Sequence, residues 1–258
     1  MISTALATAA VAIAVLMVCT WLVSLVLHNA SIVDIVWGLG FVVVAWAVGL
    51  RVDGNETRQT LLIVMTTLWG MRLATYLFIR NRGKGEDFRY RAMRKRWGPR
   101  FGLISLGTVF ALQGVLMWLV SLPVQLGQVR ERPGLGPLAV VGVAVYLVGL
   151  FFETVGDYQL ARFKRDLGNA GKVMDRGLWR YTRHPNYFGD ACVWWGIALV
   201  AAETAPGRFG LIGAVVMTIL LRRVSGVTLL EKSLSRRKPG YDEYVRRTSA
   251  FIPRPPRP

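Results

Sequence analysis

Seven long apolar runs, set between loops that alternate between crowded and sparse in basic residues, leave this chain few folds to choose from. The runs cover residues 5–27, 32–50, 60–79, 103–124, 136–152, 188–202 and 209–221, the last with an apolar continuation towards Leu230. A bilayer core is crossed by about 20 apolar residues of helix, and only helices or closed barrels satisfy every backbone group there. The runs therefore predict an all-α, polytopic membrane protein, a bundle of seven transmembrane helices. Composition agrees: 53% of the 258 residues are hydrophobic before the 27 glycines are added, against about 45–50% with glycine included in a soluble domain. One domain over 1–258 is expected, since no linker is long enough to separate two.

The charge pattern tests the count. Of the 32 Lys and Arg, 26 fall in three segments: nine between the third and fourth runs, seven between the fifth and sixth, and ten after the seventh. The alternate loops hold Arg51, Arg58, Arg130, Arg132 and Arg208, and Arg72 lies inside the third run. With seven spans, every crowded segment falls on one side. The positive-inside rule then places these segments and the C-terminus in the cytoplasm and the N-terminus outside. The net charge of +17 sits in loops between spans, so lipid headgroups and anionic cofactors, not nucleic acid, are the expected partners. The first run is too long and lacks the charged start of a cleavable leader. Cys19 and Cys192 both fall inside runs, and His28 and His184 are the only histidines, so no metal site is expected. The tail, Pro-Arg-Pro-Pro-Arg-Pro over 253–258, has no helix to extend and is expected to fray.

The most informative stretch is 177–189, Gly-Leu-Trp-Arg-Tyr-Thr-Arg-His-Pro-Asn-Tyr-Phe-Gly. Pro185 suits the first turn of a helix. A helix N-terminus offers free N–H groups and partial positive charge to an anion. Arg176, Arg180, Arg183 and His184 add donors. A phosphate-bearing cofactor or a basic anchor with a helix cap would each explain this; Tyr181, Asn186 and Tyr187 add more hydrogen-bonding chemistry than an anchor uses. Upstream, Glu153 and Asp157 are four apart and share a helix face, with Lys164 and Lys172 beyond. Asp190 lies one turn after Asn186, and Glu231 follows Arg222 and Arg223. Acids beside cations suit a whole dinucleotide, whose hydroxyls and carboxamide need acceptors while its phosphates need cations. In the loop after the third run, Gly83 and Gly85 permit tight turns beside Asn81, Arg82 and Lys84. No Gly-x-Gly-x-x-Gly follows a strand, so any dinucleotide is held outside a Rossmann fold. Gly38 and Gly40 read as a close helix contact.

Asp34 is the anomaly of the early helices, because intramembrane acids are costly and mark functional positions. An N-cap formed by Ser31 or Asp34 is the plainer alternative. Arg72 needs a partner within its span, and Asp34 is the expected one. Trp37, Trp46 and Trp69 either line a flat apolar cavity or pack the core.

The 177–189 stretch, Asp157-Tyr-Gln, Glu86-Asp-Phe-Arg-Tyr90 and the ending Tyr241-Asp-Glu-Tyr followed by Phe251-Ile-Pro253 resemble the steroid 5-alpha-reductase family (3-oxo-5-alpha-steroid 4-dehydrogenase), above all its bacterial branch, formerly a domain of unknown function. The resemblance implies an NADPH-dependent membrane oxidoreductase acting on CH–CH groups, a monomer, which passes hydride to the C=C of an enone lipid such as a 3-oxo-Δ4-steroid. It implies substrate-cavity helices over 1–124 and cofactor-binding helices and loops over 136–253. Carried over by position, Asp34 is the catalytic acid that polarises the ketone and Trp69 contacts substrate, with Trp37, on the neighbouring span, the other expected substrate contact. Trp69 falls near a tyrosine of the eukaryotic members and brings no phenol. Arg72, Asn81, Arg82, Lys84, Asp157, Lys164, Lys172, Tyr181, Arg183, His184, Asn186, Tyr187, Asp190, Arg223, Glu231 and Tyr241 are the expected cofactor contacts. An isoprenylcysteine-type methyltransferase using S-adenosylmethionine is the nearest alternative, although that family favours a doubled Glu where this chain has Glu231-Lys232. A non-enzymatic lipid-binding or transport protein is the second.

Overall fold

The structure, a computed structural model, describes residues 1–129, 134–224 and 239–257. The helices are α1 (Ile2–Val26), α2 (Ile32–Gly49), α3 (Glu56–Asn81), α4 (Phe88–Trp97), α5 (Phe101–Ser105), α6 (Leu112–Val120), α7 (Leu122–Gly127), α8 (Pro137–Arg165), α9 (Pro185–Ala201), α10 (Ala205–Arg208), α11 (Leu211–Ile219) and α12 (Tyr241–Arg247). No strand occurs among the described residues. The protein is an all-helical, polytopic membrane protein. Among the described residues, six stretches are long and apolar enough to cross a bilayer: α1, α2, α3, the run Phe88–Val120, α8, and Ala205–Arg223. The sixth apolar run of the sequence forms α9, with 17 residues, about 26 Å at 1.5 Å per residue against a core of about 30 Å.

The chain divides into two compact units, Met1–Ala139 with Ile197–Gly213 and Val140–Gly196 with Ala214–Pro258. In the first unit, α1 buries Ala5, Ala9, Ile13, Met17, Thr20 and Ser24, a stripe at three- and four-residue spacing on one face. Its other face exposes Val11, Val15, Leu22 and Val26. That arrangement is tolerable only where the solvent is itself apolar. α2 and α3 meet through glycine: a Cβ on Gly38 would stand 2.6 Å from the Gly70 carbonyl oxygen, and one on Gly70 2.5 Å from that of Gly38. The close contact read from Gly38 is therefore real, and its partner is Gly70. The third span starts earlier than its apolar run. Asn55 caps it by accepting the Arg58 N–H at 3.0 Å, so Arg58 is inside the helix, 1% exposed, with Nε donating to the Gly127 carbonyl at 3.0 Å. The fourth run is not one helix. It contains a π-helical turn at Leu106–Ala111 and breaks at Ser121, where Pro123 opens α7.

In the second unit, Gly142, Gly149 and Gly156 recur every seventh residue on α8; the first two face Gly196 and Gly189 on α9, and Gly156 meets Pro185 and Asn186 at its start. A Cβ on Gly189 would lie 2.5 Å from the Gly149 carbonyl oxygen, and one on Gly196 2.6 Å from that of Gly142. Small residues at this repeat let two helix backbones touch where lipid supplies no hydrophobic drive. The seam brings the polar end of α8 against the start of α9. The tail is not frayed, contrary to expectation. Arg254 N–H donates to the Tyr181 carbonyl at 2.9 Å and Arg257 N–H to that of Arg247 at 2.9 Å, and Thr182 Oγ1 donates to the Phe251 carbonyl at 2.9 Å. Proline removes helix donors from this segment but leaves the Arg254 and Arg257 amides free to pair.

Candidate functional site

The first unit gathers its polar groups around Asp34. This residue lies in the first turn of α2, but its carboxylate caps nothing. Oδ1 accepts the Tyr90 hydroxyl at 2.7 Å and Oδ2 accepts Arg89 Nη2 at 2.8 Å. Gln113 Nε2 donates to the same Tyr90 oxygen at 3.2 Å. The expected Arg72 pairing is overturned: the carboxylate is filled by residues of α4, and the Arg72 guanidinium lies over the Tyr76 ring at 5.6 Å, one turn along its own helix. Ser31 does not cap α2 with its side chain either, because its hydroxyl accepts the Asp87 N–H at 2.6 Å.

The segment after α3 is what delivers Arg89 and Tyr90. Asp87 caps α4, accepting the Arg89 N–H at 3.0 Å. Glu86 takes both Arg94 nitrogens, at 2.9 and 2.8 Å, and the Ala30 N–H at 2.8 Å. Burial opposes ionisation of Glu86, but Arg94, the Ala30 amide and the nearby Arg91 charge outweigh it and hold its carboxyl below the usual carboxylate range. Burial likewise opposes ionisation of Asp87, and the Arg89 side chain and amide outweigh it in the same direction. Glu86 and Asp87 thus clamp α4 to the turn before α2 and aim Arg89 and Tyr90 at Asp34. The sequence displays this motif but not the role of its last two residues, Arg89 and Tyr90. The signal was present: an acid that caps a helix with a phenol three residues on.

Trp37, Phe41 and Trp69 form a ladder of edge-to-face rings, with centroids 5.3 and 5.4 Å apart. Trp69 is fully buried, so of the two tryptophans assigned to substrate only Trp37 presents surface. Asn81 ends α3, where its Oδ1 accepts Arg80 Nε at 3.3 Å, and Arg82 and Lys84 follow in the turn after it, both exposed.

The second unit brings together residues far apart in sequence. Asn186 Nδ2 donates to Asp157 Oδ1 at 3.1 Å. Glu153, Asp157 and Asp190 are all buried, as is His184, whose ring stacks on Tyr187 at 5.4 Å. α9 starts at Pro185 as read from the sequence. Lys164 and Lys172 are exposed, and Tyr181 and Arg223 carry exposed surface. Arg183 is not displayed to solvent. It is buried, and its Nη1 donates to the Val245 carbonyl at 3.0 Å and to that of Thr248. Tyr241 is buried against Tyr244, with ring centroids 5.9 Å apart. Glu231 lies outside the described residues.

Residues 20–248 match the family described as "Protein of unknown function (DUF1295)". The chain belongs to this family. Over 91% of its length this DUF1295 member is 26% identical to an uncharacterized protein of Schizosaccharomyces pombe, covering 75% of that protein. Over 62 residues, 24% of this chain and 23% of the relative, it is 36% identical to the steroid 5-alpha-reductase DET2 of Arabidopsis thaliana. No solved structure matches. The likeness to a steroid 5-alpha-reductase therefore extends over a quarter of the chain and is a link at the level of the family.

Proposed function

We propose that this protein is an NADPH-dependent membrane reductase that adds hydride to the C=C of an enone lipid, a 3-oxo-Δ4-steroid being the first substrate to try. The observation that carries the reading is the Asp34–Tyr90 pair: a carboxylate in the first turn of the apolar helix α2 holding a phenol at 2.7 Å. The partial likeness to a steroid 5-alpha-reductase supports the reaction class. Crowded basic loops support an orientation with the C-terminus in the cytoplasm of a bacterial cell and the N-terminus outside.

The donor set of the second unit suits a phosphorylated dinucleotide. Buried Glu153, Asp157 and Asp190 offer acceptors for hydroxyl and amide groups, while Lys164 and Lys172 offer exposed cations. A bound NADPH would supply the hydride. In the first unit Arg89 fixes one Asp34 oxygen, so the acid orients the phenol and is not itself the donor. Tyr90 then turns its hydroxyl from Asp34 to the substrate carbonyl oxygen and stabilises the negative charge that develops there, a preorganised donor of the oxyanion-hole kind. Gln113 keeps the phenol oxygen in place. Hydride adds at the β-carbon, and the α-carbon takes a proton from solvent.

The test is NADPH consumption by the purified protein in detergent over a panel of enones, with wild type, Asp34→Asn and Tyr90→Phe compared and NADPH binding measured separately. Turnover should fall about 10²–10³-fold in Tyr90→Phe, the usual cost of one oxyanion donor, with cofactor binding unchanged. Full rates in both variants would overturn the assignment. Methyl transfer from S-adenosylmethionine, with no NADPH binding, would favour the methyltransferase reading.

A further inference from the structure

The second unit contains an open cavity of about 800 Å³ whose wall includes Asp175, Arg176, Arg180, Tyr244, Arg247 and Arg257. Four guanidiniums and one carboxylate therefore share one concave surface. Arg176, Arg180 and Arg257 make no side-chain hydrogen bond or ion pair to any described residue, and Arg247 only a 3.5 Å contact to the exposed Glu243. Like charges confined this way repel unless an anion joins them.

The wall is built, not incidental. Arg257 reaches the cavity because the tail is tied down: its N–H donates to the Arg247 carbonyl at 2.9 Å, and the Arg254 N–H to that of Tyr181 at 2.9 Å. The Tyr244 hydroxyl donates to the Trp179 carbonyl at 2.5 Å, which anchors α12 to the short 3₁₀ turn Gly177–Arg180. Buried Arg183 also holds the carbonyls of Val245 and Thr248. The two segments that carry the arginines are thus fixed to each other by hydrogen bonds that leave the arginines themselves unused.

We infer that this cavity is a binding site for a doubly charged phosphate group, completed by the C-terminal tail and separate from the Asp157–Asn186 cluster. Guanidinium is the group suited to it, since its planar fork meets phosphate oxygens two at a time. A carboxylate would satisfy at most one or two of the four arginines. The phosphate could belong to a lipid headgroup or to a soluble phosphomonoester, because both present the same oxygens.

The experiment uses the full-length protein in detergent. Inorganic pyrophosphate is titrated calorimetrically at fixed ionic strength into wild type, Arg180→Gln and Arg257→Gln. In parallel, each protein is reconstituted into phosphatidylcholine vesicles with and without phosphatidic acid, re-extracted, and its retained lipid identified by native mass spectrometry. Saturable pyrophosphate binding, weakened roughly tenfold or more by either substitution, identifies a soluble phosphate ligand. Selective retention of phosphatidic acid, lost in both variants, identifies a headgroup. The melting temperature of each variant shows that it is folded; both arginines are exposed and lie outside the Arg183 contacts. Absence of both effects in wild type, or effects equal in wild type and variants, overturns the inference. NADP⁺ binding is measured on the same proteins: if it falls in step with pyrophosphate binding, the cavity belongs to the dinucleotide and a separate site is excluded, whereas unchanged NADP⁺ binding supports it.

Discussion

Asp34 and the arginines beside the tail handle charge in opposite ways. Around Asp34 each carboxylate oxygen is met within 2.8 Å, and the residues that meet it are held by further pairs at Glu86 and Asp87. Around Arg176, Arg180 and Arg257 the backbone is locked while the cations stay open. A closed network positions something, here the Tyr90 hydroxyl. An open one of a single sign is left for a ligand. The contrast bears on how each region responds to substitution: the first should lose rate, the second affinity.

Four changes break or sharpen that contrast. The largest effect is expected at the α8–α9 seam, where Gly149→Leu would drive a side chain into the Val193 amide 2.5 Å away. Overpacking costs about 1–3 kcal/mol where side chains can shift, and more where the obstacle is backbone. Loss of the folded, detergent-soluble species on size exclusion is expected, against no loss for Leu103→Ala on an exposed face. Next comes Arg183→Leu, which would strand the Val245 and Thr248 carbonyls at about 1–3 kcal/mol for each buried unsatisfied group. A lowered melting temperature with ligand affinity restored at low temperature would confirm a bracing role; affinity lost at an unchanged melting temperature would return Arg183 to the ligand-contacting set.

Acid provides the third. The Glu86 and Asp87 carboxyls lie below their ordinary range in the folded protein. Their contribution is therefore complete above the usual carboxylate pKa and is lost as pH falls through the depressed folded values. Melting temperature should drop below about pH 4.5, and Glu86→Gln should flatten that drop. A profile identical in the variant would contradict the clamp. The smallest effect is at His28, which holds φ 50° in the turn before α2. His28→Gly should raise stability by a fraction of 1 kcal/mol through relief of the left-handed conformation, read as a slightly higher melting temperature.

What the sequence made legible follows from what is local. Apolar length gave the helices, Pro185 gave the start of α9, and four-residue spacing put Glu153 and Asp157 on one face. What was hidden depends on chain folding back over distance. Arg72 was the expected partner of Asp34 because both sit in spans. The partners are Arg89 and Tyr90, 55 and 56 residues on, delivered by a turn whose geometry depends on Glu86 reaching Ala30. Proline content correctly denied the tail a helix, yet said nothing of backbone pairs to Tyr181 and Arg247. Arg183 stood among its basic neighbours as one more donor, and only its burial separates it from Arg180.

The most direct test of the account is the rate of NADPH-dependent reduction of an enone by Tyr90→Phe beside wild type, with bound NADPH quantified in both. The account predicts equal cofactor occupancy and a rate at least about 10²-fold lower in the variant. Equal rates at equal occupancy would contradict it.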